Sequence, residues 1–295
     1  CGYGGQPTVT NAVTLLGTKG GPSLRKGSPS PSSSVLQINS QTILIDCGIG
    51  ATRALVEADI SLSDLDAIII THLHSDHLLD LGPLIYTAWT SGPPRRLPLY
   101  GPPGLRDYWR NFLKAMNFDH STRIVDDKRK PLDELIEVHE YGEGTVASFA
   151  GIEVSALRVD HPPVTDCFAL RFKTGSQTVV FSADTCYFQP LAEFAKNADL
   201  LVHEAMLSKG IDALVERLSG APGLRAHLIA SHTMAEDVGR IAKAAKVRKL
   251  VLNHLVPADD PSFTDADWQE AIASEWDGPV TVGKDGMRIL LTKGE

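Results

Sequence analysis

Short apolar runs separated by glycine, proline and polar residues recur along the whole chain. In the first half they predict strands at 13–16, 35–38, 42–45, 67–71 and 97–100. Apolar residues at helical spacing predict helices at 51–58 and 77–89. Further strands are predicted near residues 138, 146, 154, 169 and 179, followed by helices at 191–195, 211–218, 235–245 and 264–275 that alternate with strands. This order predicts an α/β fold with two sheets covered by outer helices.

Two segments interrupt this order. Residues 17–34 are rich in glycine, proline and serine and predict a long loop. The serine–proline repeats favour a flexible surface segment over a rim that contacts substrate. Residues near 102–137 predict a helical insertion with apolar side chains at helical spacing. A core-facing stripe is favoured there, and a lid over a ligand site is the alternative.

The densest chemical signal follows the apolar run at 67–70 and reads Thr71-His72-Leu73-His74-Ser75-Asp76-His77. Imidazoles and carboxylates are ligands that suit zinc. His72 and His74 are two positions apart, so in an extended segment their side chains point the same way. Asp76 and His77 fall where a helix is predicted to begin. Two cations about 3.5–4 Å apart therefore fit this motif better than one. Such a site needs further ligands from elsewhere in the chain.

Three such residues, His161, Asp184 and His254, each follow a short apolar strand. Together with the first motif they resemble, in order, the ligand pattern of the metallo-β-lactamase superfamily, over residues 13–291. The resemblance implies an αβ/βα four-layer sandwich with the metals at one edge between the sheets. It implies a first metal held by His72, His74 and His161, a second held by Asp76, His77 and His254, and Asp184 as a bridge. It also implies that Asp46 orients a ligand histidine.

Motifs in the second half resemble the ribonuclease Z and arylsulfatase-like branch of that superfamily: Ser182-Ala183-Asp184-Thr185, Leu201-Val202-His203-Glu204-Ala205 and Ser231-His232-Thr233-Met234-Ala235-Glu236. This resemblance implies that Glu204 and His232 form a hydrogen-bonded pair that hands a proton to the leaving oxygen. The segment after His254 departs from the Ser-x-Arg-Tyr-like pattern of ribonuclease Z. A long glycine- and proline-rich arm for tRNA is also missing from the sequence. Both departures weaken an RNA assignment.

The expected activity is that of a dinuclear zinc hydrolase in which a metal-bridging hydroxide, steered by Asp184, cleaves an ester-type bond. Phosphoester, sulfate ester, carboxylic ester and lactone bonds are all open, in a small apolar or aromatic molecule. Trp89, Tyr187 and Phe188 are predicted to line its pocket, with packing in the core as the alternative. Two other functions remain open: a ribonuclease Z-like tRNA 3′-processing phosphodiesterase, and a non-catalytic metal-binding protein of the same fold. Manganese and iron are alternatives to zinc.

Composition adds further limits. The 295 residues are predicted to form one domain, 1–295. The formal charge of -8 gives no general attraction for polyanions, so a small-molecule substrate is favoured and nucleic acid is disfavoured. No apolar stretch approaches the length of about 18 residues that predicts a membrane span. The other histidines, His120, His139, His203 and His227, are assigned structural or surface roles, and a homodimer is left open.

The cysteines carry two further expectations. A chain that begins Cys1-Gly2 favours an exported or periplasmic protein, with Cys1 as a lipid-anchored N-terminus, over a cytoplasmic one. Cys167 and Cys186 flank a predicted hairpin, which leaves a disulfide between them open. The strict geometry that a disulfide requires counts against it.

Overall fold

The computed structural model describes residues 10–93, 95–217 and 222–292. Cys1, on which the prediction of export rests, lies outside these residues. In the part of the chain that is described, no helix has the length and apolar character that crossing a membrane requires.

The first sheet has seven strands: β1 (Ala12–Gly17), β2 (Ser33–Ile38), β3 (Gln41–Ile45), β4 (Ala67–Ile69), β5 (Leu97–Gly101), β6 (Ile136–Glu140) and, from the C-terminal end, β14 (Arg288–Leu290). Their order is β14-β1-β2-β3-β4-β5-β6. The pairs from β14 to β3 are antiparallel, whereas β3, β4, β5 and β6 run parallel. Ile45 pairs with Ile69, so β3 and β4 end at the same edge.

The second sheet also has seven strands: β7 (Gly144–Phe149), β8 (Ile152–Arg158), β9 (Phe168–Lys173), β10 (Thr178–Phe181), β11 (Leu200–Met206), β12 (Leu250–Val256) and β13 (Val280–Val282). Their order is β13-β12-β11-β10-β9-β8-β7. Strands β10 to β13 run parallel, and β7 to β10 antiparallel. Each sheet therefore has a parallel half whose strands end together.

Ten α-helices are described: α1 (Ala51–Glu57), α2 (Ser75–Leu78), α3 (Leu81–Ser91), α4 (Leu105–Ala115), α5 (Asn117–Asp126), α6 (Pro190–Phe194), α7 (Ile211–Arg217), α8 (Leu224–Ser231), α9 (Ala235–Ala245) and α10 (Asp265–Ala273). One core cluster joins residues of both sheets, including Ile43 and Phe172. A second joins the first sheet to α1, α3 and α4, and a third joins the second sheet to α6, α9 and α10. The three cores separate four layers, which confirms the predicted αβ/βα sandwich.

Local differences from the sequence prediction have simple causes. The helix predicted at 77–89 is divided into α2 and α3, and Asp80 lies between them, where its carboxylate accepts a hydrogen bond from Thr52 N (2.8 Å). Helix α8 is not predicted because its inward-facing apolar residues are few. Helices α4 and α5 lie between β5 and β6, within the predicted insertion.

Two side-chain expectations also change. Trp89 is 5% exposed in the core outside the first sheet, and its indole N–H donates to Lys130 O (2.8 Å). Its alternative role as a core residue is therefore the correct one, and its assignment to a substrate pocket is wrong. Cys167 and Cys186 are free thiols; Cys167 donates a hydrogen bond to Asp184 O (3.3 Å).

Candidate metal centre and adjoining cavity

The predicted ligand residues gather where parallel strands end. Asp46 follows β3, the His72 to His77 motif follows β4, and Asp184 follows β10. His254 lies near the end of β12. Parallel strands present their carboxyl ends at one edge of a sheet, so the loops that follow them meet. Asp46 (φ 57°), Ala183 (φ 55°) and His254 (φ 42°) adopt left-handed backbone there, at a cost of about 1–3 kcal/mol each.

The first cluster comprises His72, His74, His161 and Asp184, with ligand atoms all within 4.8 Å of one another. His161 donates from Nδ1 to Ser231 O (2.9 Å), so its Nε2 carries a lone pair when the ring is neutral. That Nε2 lies 3.1 Å from Nδ1 of His74. Burial, followed by His77, holds the pKa of His72 well below its usual value, so this imidazole is neutral and able to bind a cation.

The second cluster comprises Asp76, His77, Asp184 and His254, all of them buried. Oδ2 of Asp184 lies 3.0 Å from Nε2 of His254 and 3.3 Å from Nε2 of His77. The same oxygen lies 3.7 Å from Nε2 of His72 in the first cluster. Asp184 is thus shared between the clusters, which is the position that a bridging ligand needs.

Charge balance in the second cluster depends on the imidazoles. Burial favours a neutral His254, but Asp184, Asp76 and Glu204 together outweigh it and raise the pKa of His254 to about 10. Burial likewise opposes protonation of His77, and Asp184 followed by Asp46 raises its pKa well above the usual value. In the protein alone, protons on these rings balance the buried carboxylates. A divalent cation held by these residues would supply that positive charge in place of the protons.

Two buried nitrogens test whether a cation fits. Nε2 of His72 and Nε2 of His77 accept or donate no hydrogen bond among the described residues. Leaving such a buried polar atom unsatisfied costs about 1–3 kcal/mol. Both nitrogens face the carboxylate of Asp184, so a cation placed among them would satisfy all three groups. The donor set therefore fits a divalent metal such as zinc.

Asp46 lies behind the second cluster. Its Oδ2 accepts from Nδ1 of His77 (2.7 Å), and Thr71 donates to its two oxygens from the backbone N (2.7 Å) and Oγ1 (2.8 Å). With Nδ1 engaged in this way, Nε2 of His77 is directed to the cluster. A buried carboxylate on the far nitrogen fixes the ring orientation and the tautomer that a metal ligand needs.

Glu204 and His232 form a separate pair beside the clusters. Nδ1 of His232 lies 3.1 Å and 3.0 Å from the two carboxylate oxygens of Glu204. Thr185 N also donates to Glu204 Oε1 (2.6 Å), which fixes the carboxylate. Burial disfavours a charged His232, but Glu204 prevails and raises the pKa of His232. The ring stacks on His254 at 5.3 Å between centroids, so this imidazole lies next to the candidate metal centre.

A cavity of about 470 Å³ adjoins both clusters and the His232 ring. One wall comes from residues 19–25 of the loop predicted as a flexible surface segment. Gly21 N donates to Asp76 Oδ2 (2.8 Å), and the buried ammonium of Lys19 donates to Gly20 O, Gly21 O and Ser23 Oγ at 3.0–3.2 Å. Residues 24–27 of this loop are exposed, as predicted, but its first residues line the cavity and are tied to a candidate ligand, which the surface-segment prediction missed. The available signal was Lys19, which lies two residues after β1 and is followed by two glycines.

The other walls also differ from the sequence prediction. Tyr187 is 46% exposed and Phe188 packs against the core outside the second sheet; neither lines the cavity, which corrects their assignment to a substrate pocket. His227, assigned a structural or surface role from the sequence, does line it. The remaining lining side chains are mainly aliphatic, namely Leu214, Leu224, Leu228, Val256, Pro257 and Ala258.

The close approach of Gly20 to His254 gives a prediction. A Cβ on Gly20 would lie 2.8 Å from Cε1 and 2.9 Å from Nδ1 of His254. We expect Gly20→Ala to displace that imidazole and to weaken metal binding by about tenfold, as disturbance of a ligand's surroundings does. Competition with a chromogenic chelator measures this. Gly142→Ala is the control, since a Cβ there meets nothing within 4 Å; equal metal affinities of the two variants would contradict the expectation.

Comparison with known proteins agrees with this geometry. Residues 13–254 match the family model described as Anti-Pycsar protein Apyc1. The chain belongs to this family. It is also 32% identical over 289 residues to a protein named Ribonuclease Z from Mycolicibacterium gilvum, with 96% of each chain covered. A Ribonuclease Z from Mycobacterium bovis is 32% identical over 287 residues, covering 94% of this chain and 97% of the relative.

Solved structures establish the fold class. The metallo-β-lactamase fold protein YhfI from Bacillus subtilis superposes with a TM-score of 0.71 at 25% identity, covering 95% of this chain and 98% of that one. The short form of human tRNase Z gives a TM-score of 0.69 at 22% identity, with 95% and 99% covered. The predicted resemblance to the metallo-β-lactamase superfamily and its ribonuclease Z branch is confirmed.

The prediction about the substrate needs correction. A small-molecule substrate, with nucleic acid disfavoured, is contradicted by relatives whose names refer to RNA and tRNA. The prediction used the total charge of -8, which says little about a local surface. The cavity beside the candidate metal centre is lined by Lys19 and Arg25 as well as by Asp76, Asp184 and Asp259, so charges of both signs meet there.

Proposed function

We propose that the protein is a two-metal phosphodiesterase of the ribonuclease Z type, which cleaves a phosphodiester bond at the 3′ end of a tRNA precursor. The observation that carries this proposal is the Glu204–His232 pair, set beside two ligand clusters that share Asp184. The Ribonuclease Z relatives, 32% identical across nearly the whole chain, support the choice of RNA.

The shared carboxylate favours phosphorus as the reaction centre. His72, His74 and His161 would hold one cation, Asp76, His77 and His254 the second, and Asp184 both. Divalent cations bound there, zinc first among them, would lower the pKa of an attacking water and offset the charge of the phosphate. Paired metal sites of this kind are typical of nucleases and phosphatases, where attacking and leaving oxygens lie in line.

The leaving group explains the need for His232. Hydrolysis forms one P–O bond to the entering oxygen and breaks the P–O bond to a ribose oxygen. A ribose alkoxide is a poor leaving group, so it must take a proton as that bond breaks. Nδ1 of His232 donates its N–H to the Glu204 carboxylate (3.0 Å), so the second proton of the charged ring is on Nε2. It would therefore donate from Nε2 to the leaving oxygen, while Glu204 stabilises the charged ring beforehand.

Three substrates tested in parallel separate the alternatives. The metal-loaded protein would be incubated with a tRNA precursor that carries a 3′ trailer, with bis(p-nitrophenyl) phosphate and with a p-nitrophenyl carboxylate ester. We expect release of the trailer from the precursor and hydrolysis of the phosphate diester. Mature tRNA without a trailer is the control RNA, and Glu204→Gln is the control for catalysis by the site itself.

The outcomes are distinct. Cleavage of the aryl phosphate diester without release of the trailer would reject RNA and keep the phosphodiesterase chemistry; a nucleoside cyclic phosphate would then be the next substrate to test. Turnover of the carboxylate ester alone would reject phosphodiester chemistry. Bound metal without turnover of any of these substrates would favour a non-catalytic protein of this fold.

A further inference from the structure

The wall of the cavity built by α7 and α8 has no role in the chemistry described so far. It is formed by Leu214 on α7 and by Leu224, His227 and Leu228 on α8. Val256 and Pro257, at the end of β12, continue the apolar surface. Its side chains are aliphatic apart from one imidazole, and it is continuous with the space beside His232. We call these six residues the α8 wall.

The position of His232 indicates what the α8 wall faces. This histidine directly follows α8, and its ring lies 6.0 Å from that of His227 between centroids. If His232 protonates the leaving oxygen, the group attached to that oxygen must lie within reach of α8. The cavity volume of about 470 Å³ is in the range of about 300–1,000 Å³ typical of pockets for one small ligand or nucleotide. It is too small for a stretch of duplex.

His227 has a defined tautomer in its neutral form. Ser231 Oγ donates its proton to Pro162 O (2.5 Å), so towards His227 Nδ1, 3.2 Å away, that hydroxyl acts as an acceptor. Nδ1 of His227 must therefore carry the proton. Its Nε2 is then an acceptor, and it would suit a hydrogen-bond donor on the ligand. A ribose hydroxyl and the exocyclic amino group of a base both provide one.

We propose that the α8 wall is a subsite for the single nucleoside that carries the leaving oxygen, with its base packed on Leu224 and Leu228 and a donor of the nucleoside bound to Nε2 of His227. This inference rests on the proposed function, because it takes His232 as the proton donor to a ribose oxygen. It assigns the substrate two contacts that the metal clusters do not provide: apolar packing and one oriented hydrogen bond.

Binding affinities measured by titration calorimetry test the subsite without turnover. The metal-loaded protein would be titrated with inorganic phosphate, adenosine 3′-monophosphate and adenosine 5′-monophosphate. We expect at least one of the two mononucleotides to bind about tenfold more tightly than phosphate, since burial of apolar surface on the wall adds to the contacts of the phosphate. The 2′-deoxy analogues and purine riboside monophosphates, which lack the amino group, distinguish the two donors for His227.

Variants assign the extra affinity to the wall. Leu228→Ala should remove most of the tenfold preference and leave phosphate binding unchanged. Ile229→Ala is the matched control, because Ile229 is the next residue on α8, is 42% exposed and does not line the cavity. His227→Leu keeps an apolar side chain without the acceptor, and it should abolish the difference between nucleotides with and without the donor. Unchanged phosphate binding shows that each variant is folded.

Two results would overturn the subsite: mononucleotides that bind no more tightly than phosphate, or equal effects of Leu228→Ala and Ile229→Ala. If Leu228→Ala also loses phosphate binding, the test rests on His227→Leu. In that case the subsite is rejected if His227→Leu leaves the difference between nucleotides with and without the donor unchanged. Failure of the proposed function would give a different set of results. Preferential nucleotide binding without phosphodiester hydrolysis would reject the function and leave the α8 wall as a nucleotide-binding surface with no leaving group, whereas hydrolysis without the preference would reject the subsite alone.

Discussion

Replacing His232 with alanine is expected to lower the turnover number for the proposed RNA hydrolysis by about 10²–10⁴-fold, the range typical of a lost general acid. The structure gives the reason, because the His232 ring lies beside both the candidate metal centre and the cavity, while Glu204 holds its Nδ1 at 3.0 Å. Glu204→Gln keeps the size of that partner but removes its charge. It should therefore produce a smaller loss in the same direction, measured in single-turnover cleavage.

Leaving-group dependence separates a proton donor from a structural residue. A p-nitrophenolate leaves without a proton, so His232→Ala should slow hydrolysis of bis(p-nitrophenyl) phosphate much less than cleavage of RNA. His139→Ala is the control: its side chain is 41% exposed and stacks on Tyr100 at the far strands of the first sheet. Equal losses on the two substrates in His232→Ala would show that this residue supports the fold of the site rather than proton transfer.

Removal of divalent metal by a chelator is expected to abolish the proposed phosphodiester hydrolysis and to lower the melting temperature. Asp76 and Asp184 are buried among imidazoles, and a cation that offsets their charge would bind only the folded chain. At a free metal concentration 100 times Kd, this linkage contributes about 2.7 kcal/mol. A chain of this size should then lose several degrees, at about 2–4 °C per kcal/mol. Differential scanning calorimetry with and without chelator measures the change.

Asp184→Asn provides the comparison for the chelator experiment. The amide keeps the volume of the shared side chain but removes its charge from both clusters, so this variant should bind metal weakly and respond little to the chelator. Asp107→Asn, on an exposed position of α4, should respond as the unmodified protein does. A melting temperature that is the same with and without chelator in the unmodified protein would contradict a cation at this site.

The fold and the ligand cluster can be predicted from the sequence for physical reasons. The apolar runs set the strands, and their order with the helices specifies two covered sheets. The motif from His72 to His77 is contiguous, so its chemistry can be recognised before any tertiary contact is known. His161, Asp184 and His254 are separated in the chain, yet each lies after a strand or near its end, and strands that run in the same direction bring these ends to one edge of the sheet.

The cavity could not be predicted in the same way, because its walls depend on how separate segments pack. Lys19 lies in a segment whose serine and proline content is typical of exposed loops, and it is the tertiary contacts, such as the hydrogen bond from Gly21 N to Asp76, that show it is anchored. His227 has no motif around it and reaches the cavity through a helix that the pattern does not predict. Trp89 is a residue of a type that often lines pockets, but α3 directs its side chain into the core.

Metal content per chain tests the central claim most directly. The protein, purified without chelator and dialysed against zinc, would be measured by inductively coupled plasma mass spectrometry and by X-ray absorption at the metal edge. The account predicts two cations per chain with nitrogen and oxygen ligands, and a fall below one in Asp184→Asn. A chain that holds less than one cation under these conditions, or the same amount in Asp184→Asn, would contradict it.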